Sequence, residues 1–203
     1  MADGFATFFN GYSNQIYSVG RGASATTIQA PQTAITAGNK VVIQGTVMDN
    51  SAGTKQDEQA ARFPNGVPCA SDASMSEWMG YIYQQKPLPT NFTGVKVSID
   101  AVDPNGNYIH IGDATTNTNG LFHYTWTTPN VPGDYMVYAS FVGSNGYWPS
   151  GSVTAMNVAE AAATPTPTTA PQATMTDTYV IGSAIAIIIV ILIVGALLLR
   201  KRP

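Results

Sequence analysis

Polar and apolar residues alternate in short runs along most of the chain before residue 160. The runs are residues 25–35, 39–49, 94–103, 108–116, 121–128, 135–143 and 151–160. Turn sequences rich in Gly, Pro, Asn and Asp separate most of them. A period of two predicts strands that are buried on one face. About seven such strands, mostly joined by short turns, predict two antiparallel sheets packed as a β-sandwich over residues 23–160.

The inward faces of the later strands carry the predicted core. They hold the aromatic residues Phe122, Tyr124, Trp126, Tyr135 and Phe141. Aromatic side chains at alternating strand positions fill the space between two sheets more often than they contact a ligand. We therefore expect these residues to lie between the sheets.

The first residues of the chain predict a separate β-hairpin at 1–22. One apolar run ends at Phe8 and Phe9, residues 11–14 form a turn, and Gln15–Val19 alternate again. No sheet precedes this hairpin in the sequence. If its phenylalanines stay exposed, the hairpin lacks a partner sheet, and if they pack on the following strands, the protein is self-contained.

Residues 50–93 interrupt the strand pattern with an insertion that is long for a sandwich loop. Its first half contains a short helical sequence. Its second half predicts a capped helix, with Ser71 or Asp72 at the N-cap and Glu77 in the first turn. Pro87 and Pro89 end that helix.

The predicted helix leaves two interpretations of its apolar face open, and a third is that the segment is a mobile loop. Met75, Trp78, Met79 and Ile82 share that face. The helix either lies over the sandwich and buries Trp78, or exposes an aromatic surface to a partner protein or a glycan. The candidate partner surface is Trp78, Tyr81, Tyr83, Tyr147 and Trp148. Asn91 begins an Asn-Phe-Thr glycosylation sequon in the same insertion.

The C-terminus predicts a transmembrane helix at residues 179–199. This segment reads YVIGSAIAIIIVILIVGALLL and contains no charge. Its length of about 31 Å as a helix matches the roughly 30 Å hydrocarbon core of a bilayer. The basic tail 200–203 follows, with Arg200, Lys201 and Arg202 as the stop-transfer residues. The positive-inside rule then leaves that tail in the cytoplasm and the preceding residues outside the cell membrane.

Residues 161–178, rich in Thr and Pro, predict an extended stalk between the sandwich and the membrane. Charged residues make up only 10% of the chain and the net charge is −3, which argues against a nucleic-acid partner. The single cysteine, Cys69, has no partner for an internal disulfide and no nucleophile motif around it.

Catalytic and metal chemistry find little support. His110 and His123 lack the spacing of a metal pair, and we expect both to face solvent. The turn that begins at Asp103 has oxygen ligands at alternate positions, but Pro104 and the missing distal Glu break the EF-hand pattern. The sequence contains no nucleotide-binding or nucleophile-elbow motif. We therefore predict that the protein is not an enzyme and carries no cofactor.

The stretch TNTNGLFHYTWTTPNVPGDYMVYASFVGSNGYWPS resembles the second half of the Ig-like domains that are repeated in bacterial and archaeal surface proteins. The matching positions are Thr116, Gly120, Trp126, Gly133, Tyr135, Val137, Phe141, Gly143 and Tyr147. The insertion at 50–93 departs from that pattern. The resemblance implies an Ig-like sandwich that acts as a spacer, a stalk or an adhesion module, and it implies no particular ligand.

The stretch DGFATFFNGYSNQIYSVGRGASATTIQAP resembles the last strands of a PQQ-like β-propeller in archaeal surface proteins, where an Ig-like domain and a membrane anchor follow. Residues 1–9 also lack the features of a secretory signal. We expect a membrane-anchored extracellular module for display, adhesion or spacing. The alternatives are the anchoring tail of a larger propeller protein and a carbohydrate-binding module.

Overall fold

The computed structural model describes residues 5–161 and 175–200. The strands are β1 (Phe5–Asn10), β2 (Gln15–Gly20), β3 (Ser24–Gln29), β4 (Ile35–Thr36), β5 (Lys40–Asp49), β6 (Val67–Pro68), β7 (Lys96–Val102), β8 (Tyr108–Thr115), β9 (Leu121–Thr127), β10 (Gly133–Phe141) and β11 (Ser150–Ala159). The helices are a 3₁₀ turn (Ala52–Lys55), α1 (Asp57–Arg62), α2 (Met75–Tyr83) and α3 (Met175–Arg200). The mainly β prediction is confirmed.

The chain forms two units, Met1–Ala162 and Ala163–Pro203. In the first unit, one sheet has five strands in the order β4-β11-β10-β7-β8. The other sheet has β5 at its centre, where it pairs with β3, β6 and β9. All of these pairs are antiparallel except β4 with β11. Short turns suffice for antiparallel neighbours, which is why the turn-rich sequence gives these sheets.

The two sheets share one apolar core. It draws Val41, Ile43 and Phe122 from the sheet around β5, and Ile99 and Val137 from the five-stranded sheet. Alternate residues of β5 and β10 face inward, as the period of two predicts. Of the five aromatic residues expected in the core, four are buried and Tyr124 is only partly buried.

The insertion folds over this body and forms a smaller cluster of its own. Val67, Ala70, Trp78 and Ile82 are buried together there. The cap of α2 differs from the expected one, because the helix starts at Met75. The Asp72 carboxylate instead accepts backbone N–H groups from the loop between β10 and β11, and so ties the insertion to the body.

The hairpin of β1 and β2 has six consecutive antiparallel pairs, from Phe5 opposite Gly20 to Asn10 opposite Gln15. Phe8 stacks on Tyr17 across the two strands, with ring centroids 5.6 Å apart. Phe8 and Phe9 are 52% and 61% exposed. The segment after β2 is held to the body, since Gly22 exchanges backbone hydrogen bonds with the loop between β10 and β11.

The second unit contains α3, which begins four residues before the expected start at residue 179. The last four residues of the expected stalk are therefore helical. Residues 162–174 of that stalk, residues 1–4 of the expected hairpin, and the basic residues Lys201 and Arg202 lie outside the described residues.

Candidate functional site

The five aromatic residues of the candidate partner surface do not form one exposed surface. Trp78 and Tyr147 are buried, with only 2% and 1% of their surface exposed. Tyr81 and Tyr83 are half-buried beside Trp78, and Trp148 alone is largely exposed. The five residues are therefore divided among the insertion, which holds Trp78, Tyr81 and Tyr83, the main core, which holds Tyr147, and the exposed ring of Trp148.

Trp78 is the centre of the packing in the insertion. Its ring centroid lies 4.6 Å from that of Phe92, 5.5 Å from that of Tyr81 and 5.9 Å from that of Phe63. Its indole Nε1 donates a hydrogen bond to the Pro68 carbonyl oxygen at 3.1 Å. A buried indole N–H needs a hydrogen-bond acceptor, and the Pro68 carbonyl is that acceptor. The protein itself therefore provides both the polar and the aromatic contacts of Trp78.

Arg62 holds the end of α2 against α1. Its guanidinium donates to the carbonyl oxygens of Ile82 at 2.8 Å and Tyr81 at 3.1 Å. It also lies 4.7 Å from the centroid of the Tyr81 ring. The last carbonyl groups of a helix lack hydrogen-bond donors within the helix, and the Arg62 guanidinium provides donors for two of them.

Trp148 belongs to the attachment of the hairpin. The Arg21 guanidinium lies 4.5 Å above its ring, and Arg21 Nε donates to the Tyr147 carbonyl oxygen at 2.9 Å. One side of the ring is thus covered by a cation from its own chain. This contact accounts for Trp148 without a ligand.

Asn91 lies exposed at the end of the insertion, after the two prolines. Its backbone carbonyl oxygen accepts a hydrogen bond from Ser74 Oγ at 3.4 Å. An exposed side chain on a loop has the accessibility that a glycosylation acceptor requires.

The single cysteine, Cys69, lies buried in the apolar core. Cys69 is fully buried, and burial together with the nearby Asp49 carboxylate raises the pKa of its thiol. Burial also raises the pKa of Asp49, although hydrogen bonds from Ser51 oppose this. Since the thiolate is the reactive form, Cys69 is chemically inert in the folded protein.

A polar cluster that the sequence analysis did not identify lies on the outer face of the five-stranded sheet. Asp100 Oδ1 accepts hydrogen bonds from the Tyr108 hydroxyl at 2.6 Å and lies 2.7 Å from His110 Nδ1. Asp100 Oδ2 accepts one from Ser98 Oγ at 3.0 Å. The Asp100 side chain is 10% exposed, whereas the His110 side chain is 50% exposed. Burial alone would raise the pKa of Asp100, but these hydrogen bonds outweigh it and lower the pKa.

A β-bulge brings this cluster together. Ile99 pairs with Gly112, but the next residue, Asp100, pairs with His110, which leaves Ile111 as the extra residue of β8. The bulge reverses the alternation of β8, so that Ile109 and Ile111 pack against the core while Tyr108 and His110 face outward. Gly112 adopts φ of +152°, and a Cβ there would collide with the Tyr124 hydroxyl. Alternation within residues 108–111 indicates which side chains face outward, but it does not reveal the register shift that places His110 opposite Asp100.

The remaining candidates for metal chemistry are accounted for by local structure. The Asp103 carboxylate accepts N–H groups of Asn105 and Asn107 in the turn between β7 and β8. His123 is exposed on β9. Within residues 5–161 and 175–200, no three His, Cys, Asp or Glu side chains are grouped so that they could hold a metal ion.

Solved structures that are similar to this chain include a repeat from an adhesion protein and a sporulation control protein. No protein-family model and no curated protein matches the chain. One similar structure is a tetra-tandem repeat in the extending region of a large adhesion protein, at 14% identity and a TM-score of 0.38, covering 76% of this chain and 30% of that one. Another is Spo0M, a sporulation control protein from Bacillus subtilis, at 14% identity and a TM-score of 0.36, covering 70% of this chain and 51% of that one.

Proposed function

We propose that the protein is a single-pass, membrane-anchored extracellular β-module that serves in surface display, adhesion or spacing, without catalytic activity. The observation that carries this proposal is α3. Within the part of the chain that the structure describes, α3 is a helix that is long enough and apolar enough to cross a membrane. No charged residue lies between Asp177 and Arg200. The side chains of Thr176–Arg200 are exposed along nearly the whole helix, which suits contact with lipid.

The charge distribution supports the proposed sidedness. Arg200 is followed in the sequence by Lys201 and Arg202, while the charges that precede the helix, Glu160 and Asp177, are acidic. Basic residues beside a span stay in the cytoplasm. The β-sheet unit would then stand outside the cell, tethered through the Thr/Pro-rich segment.

We also propose that the two sheets form an Ig-like arrangement. Two mostly antiparallel sheets share one core, and the sequence resemblance spans β9 and β10, the strands that hold Trp126 and Tyr135. These two rings meet edge to face, with centroids 5.8 Å apart. A sandwich of this kind is a rigid spacer whose ends and outer faces are free for contacts.

Cysteine accessibility tests the membrane topology. Because Cys69 is fully buried, the unsubstituted chain should remain unlabelled by a membrane-impermeant maleimide on intact cells. Tyr12→Cys places a thiol at the fully exposed tip of the hairpin, and Pro203→Cys places one at the last position of the basic tail. We expect Tyr12→Cys to react on intact cells and Pro203→Cys only after permeabilisation.

The opposite labelling pattern would reverse the sidedness and remove the extracellular role. Release of the chain from membranes by alkaline carbonate would contradict the proposal that α3 anchors the chain in the membrane. Ile188→Arg supplies the matched variant, since a charge at the helix centre costs about 2.5–3.5 kcal/mol of insertion free energy. We expect its carbonate-resistant fraction to fall.

A further inference from the structure

The outer face of the five-stranded sheet carries two exposed tyrosines on either side of a buried carboxylate. In the register of the sheet, Tyr138 on β10 lies opposite Asp100 on β7, which lies opposite His110 on β8. Tyr108 is the next outward-facing residue of β8 beyond His110. Since neighbouring strands lie about 4.8 Å apart, the backbones at Tyr138 and His110 are about 10 Å apart. The two tyrosines therefore lie on either side of a polar centre on the outer face of the sheet.

The polar centre is organised in advance. Tyr108 is 68% exposed, yet its hydroxyl is held by Asp100, which limits the motion of the ring. His110 uses Nδ1 towards the same carboxylate oxygen, so its other ring nitrogen is directed away from Asp100. Tyr138 is 37% exposed, with Val153 opposite it on β11. A carboxylate with so little exposure on an outer sheet face has no part in the apolar core.

We propose that this face binds a neutral oligosaccharide, with Tyr108 and Tyr138 stacking on sugar rings and with the outward ring nitrogen of His110 hydrogen-bonding to a hydroxyl group between them. Asp100 holds Tyr108 and His110 in position rather than touching the sugar. A sugar ring presents an apolar C–H face and a polar rim, which matches alternating aromatic and hydrogen-bonding groups. An extended saccharide needs an open surface rather than an enclosed cavity.

Charge and composition separate this ligand class from others. The carboxylate would repel a nucleic acid or an anionic lipid headgroup. A protein partner would have to cover the half-exposed His110 and the carboxylate beneath it in the middle of the contact, where protein interfaces are depleted of charge. A metal ion would meet a carboxylate whose oxygens already accept hydrogen bonds from Tyr108 and Ser98. A neutral polyol adds donors and acceptors without adding charge.

The test uses the full chain, purified in a detergent without a sugar headgroup, on a printed array of neutral glycans. The affinity for the strongest glycan is then measured by calorimetry. We expect a Kd below about 1 mM. Tyr108→Ala and Tyr138→Ala should each weaken binding by at least about tenfold, as truncation of an aromatic anchor does. Tyr108→Phe, which keeps the ring and loses the hydrogen bond to Asp100, should weaken it less.

Tyr12→Ala is the matched control, because Tyr12 is also exposed but lies at the tip of the hairpin. It should bind as tightly as the unsubstituted chain, and circular dichroism should show all variants folded. Binding to no neutral glycan overturns the proposal. So does binding that Tyr108→Ala and Tyr138→Ala leave unchanged, or a Tyr138-dependent self-association without glycan binding.

This inference deepens the proposed adhesion role and draws its biological meaning from it. The two can fail separately, since glycan binding in detergent does not depend on membrane orientation. Labelling of Tyr12→Cys on intact cells likewise does not depend on a glycan.

Discussion

Two regions outside the main strand pattern are rich in aromatic residues: the hairpin of β1 and β2, and the insertion between β5 and β7. Their central aromatic side chains differ in solvent exposure. In the insertion, Trp78 is 2% exposed and is enclosed by other rings. In the hairpin, Phe9 is 61% exposed and Tyr12 fully exposed. Aromatic content alone therefore does not decide burial.

The difference lies in what each segment has to pack against. The insertion contributes two helices and a short strand that pairs with β5, so its helix faces a surface. The hairpin is a two-stranded sheet whose apolar residues lie on both faces, with Phe9 opposite Ile16 on one and Phe8 opposite Tyr17 on the other. A two-stranded ribbon has no second layer, and is at best marginally stable alone.

The hairpin also lacks the features that protect sheet edges elsewhere. Residues 5–20 contain no charged residue and no proline, and the register of β1 and β2 continues without a bulge. The edge strand β8, in contrast, has a bulge and the ion pair of Asp113 with Lys96 at 2.8 Å. Unprotected edges are templates for strand addition, which makes the hairpin a region that is open to pairing with another strand.

The largest effect should come from removing the centre of the insertion. Trp78→Ala should lower the free energy of unfolding by about 3–5 kcal/mol, because it leaves a cavity among aromatic rings. Chemical denaturation followed by circular dichroism measures this. Trp148→Ala is the matched control, and it should cost less than about 1 kcal/mol because its ring is half-exposed. Equal losses in the two variants would contradict the contrast between the regions.

Next in size is the loss of Arg62. Arg62→Ala removes both hydrogen bonds to the end of α2, and a charged hydrogen bond contributes about 1.5–3 kcal/mol. In Arg62→Ala, hydrogen exchange of the amides in α2 should become faster than in the unsubstituted chain, and by more than any change in β5. Arg62→Lys keeps the charge but not the planar fork, so it should restore only part of the protection. Full protection in Arg62→Ala would show that the remaining contacts of α2, including the hydrogen bond from Gln59 Nε2 to the Ile82 carbonyl oxygen, are enough to hold it.

A smaller effect should appear on acidification. Backbone N–H groups of Asn145 and Gly146, with Ser144, hold the pKa of Asp72 below its usual range. The folded state then favours the ionised carboxylate, and this stability is present above the unfolded pKa of about 3.9. It is lost as the pH falls through the lower folded pKa. Asp72→Asn should flatten this part of the stability curve, while the hairpin, which has no acid in residues 5–20, should not contribute to it.

The smallest effect should come from the hairpin itself. Phe9→Ala should change the free energy of unfolding by no more than about 0.5 kcal/mol, because the ring is mostly exposed. Phe92→Ala, at the ring that lies closest to Trp78, is the comparison within the insertion and should cost clearly more. A loss for Phe9→Ala as large as that for Phe92→Ala would mean that the hairpin is packed in solution.

Much of the architecture was open to prediction because it depends on local periodicity. The alternation in β5 and β10, the hairpin turn at residues 11–14 and the apolar stretch that forms α3 are all local patterns. The N-cap of α2 was not predicted correctly, since Asp72 binds a loop that is about seventy residues away in the sequence. The start of α3 at Met175 was also missed, because a helix extends beyond its apolar part when its flanking residues tolerate it.

The candidate sites depended more on tertiary contacts. The sequence determined which residues were aromatic, where a sequon lay and where an apolar span ended in basic residues, since these are properties of neighbouring residues. Only the tertiary structure decided that Trp78 and Tyr147 are buried while Tyr108 and Tyr138 are not. It also brought Asp100, Tyr108 and His110 together, because a single extra residue in β8 sets the register that places His110 opposite Asp100. Burial and register depend on what packs on each face, and that partner comes from distant parts of the chain.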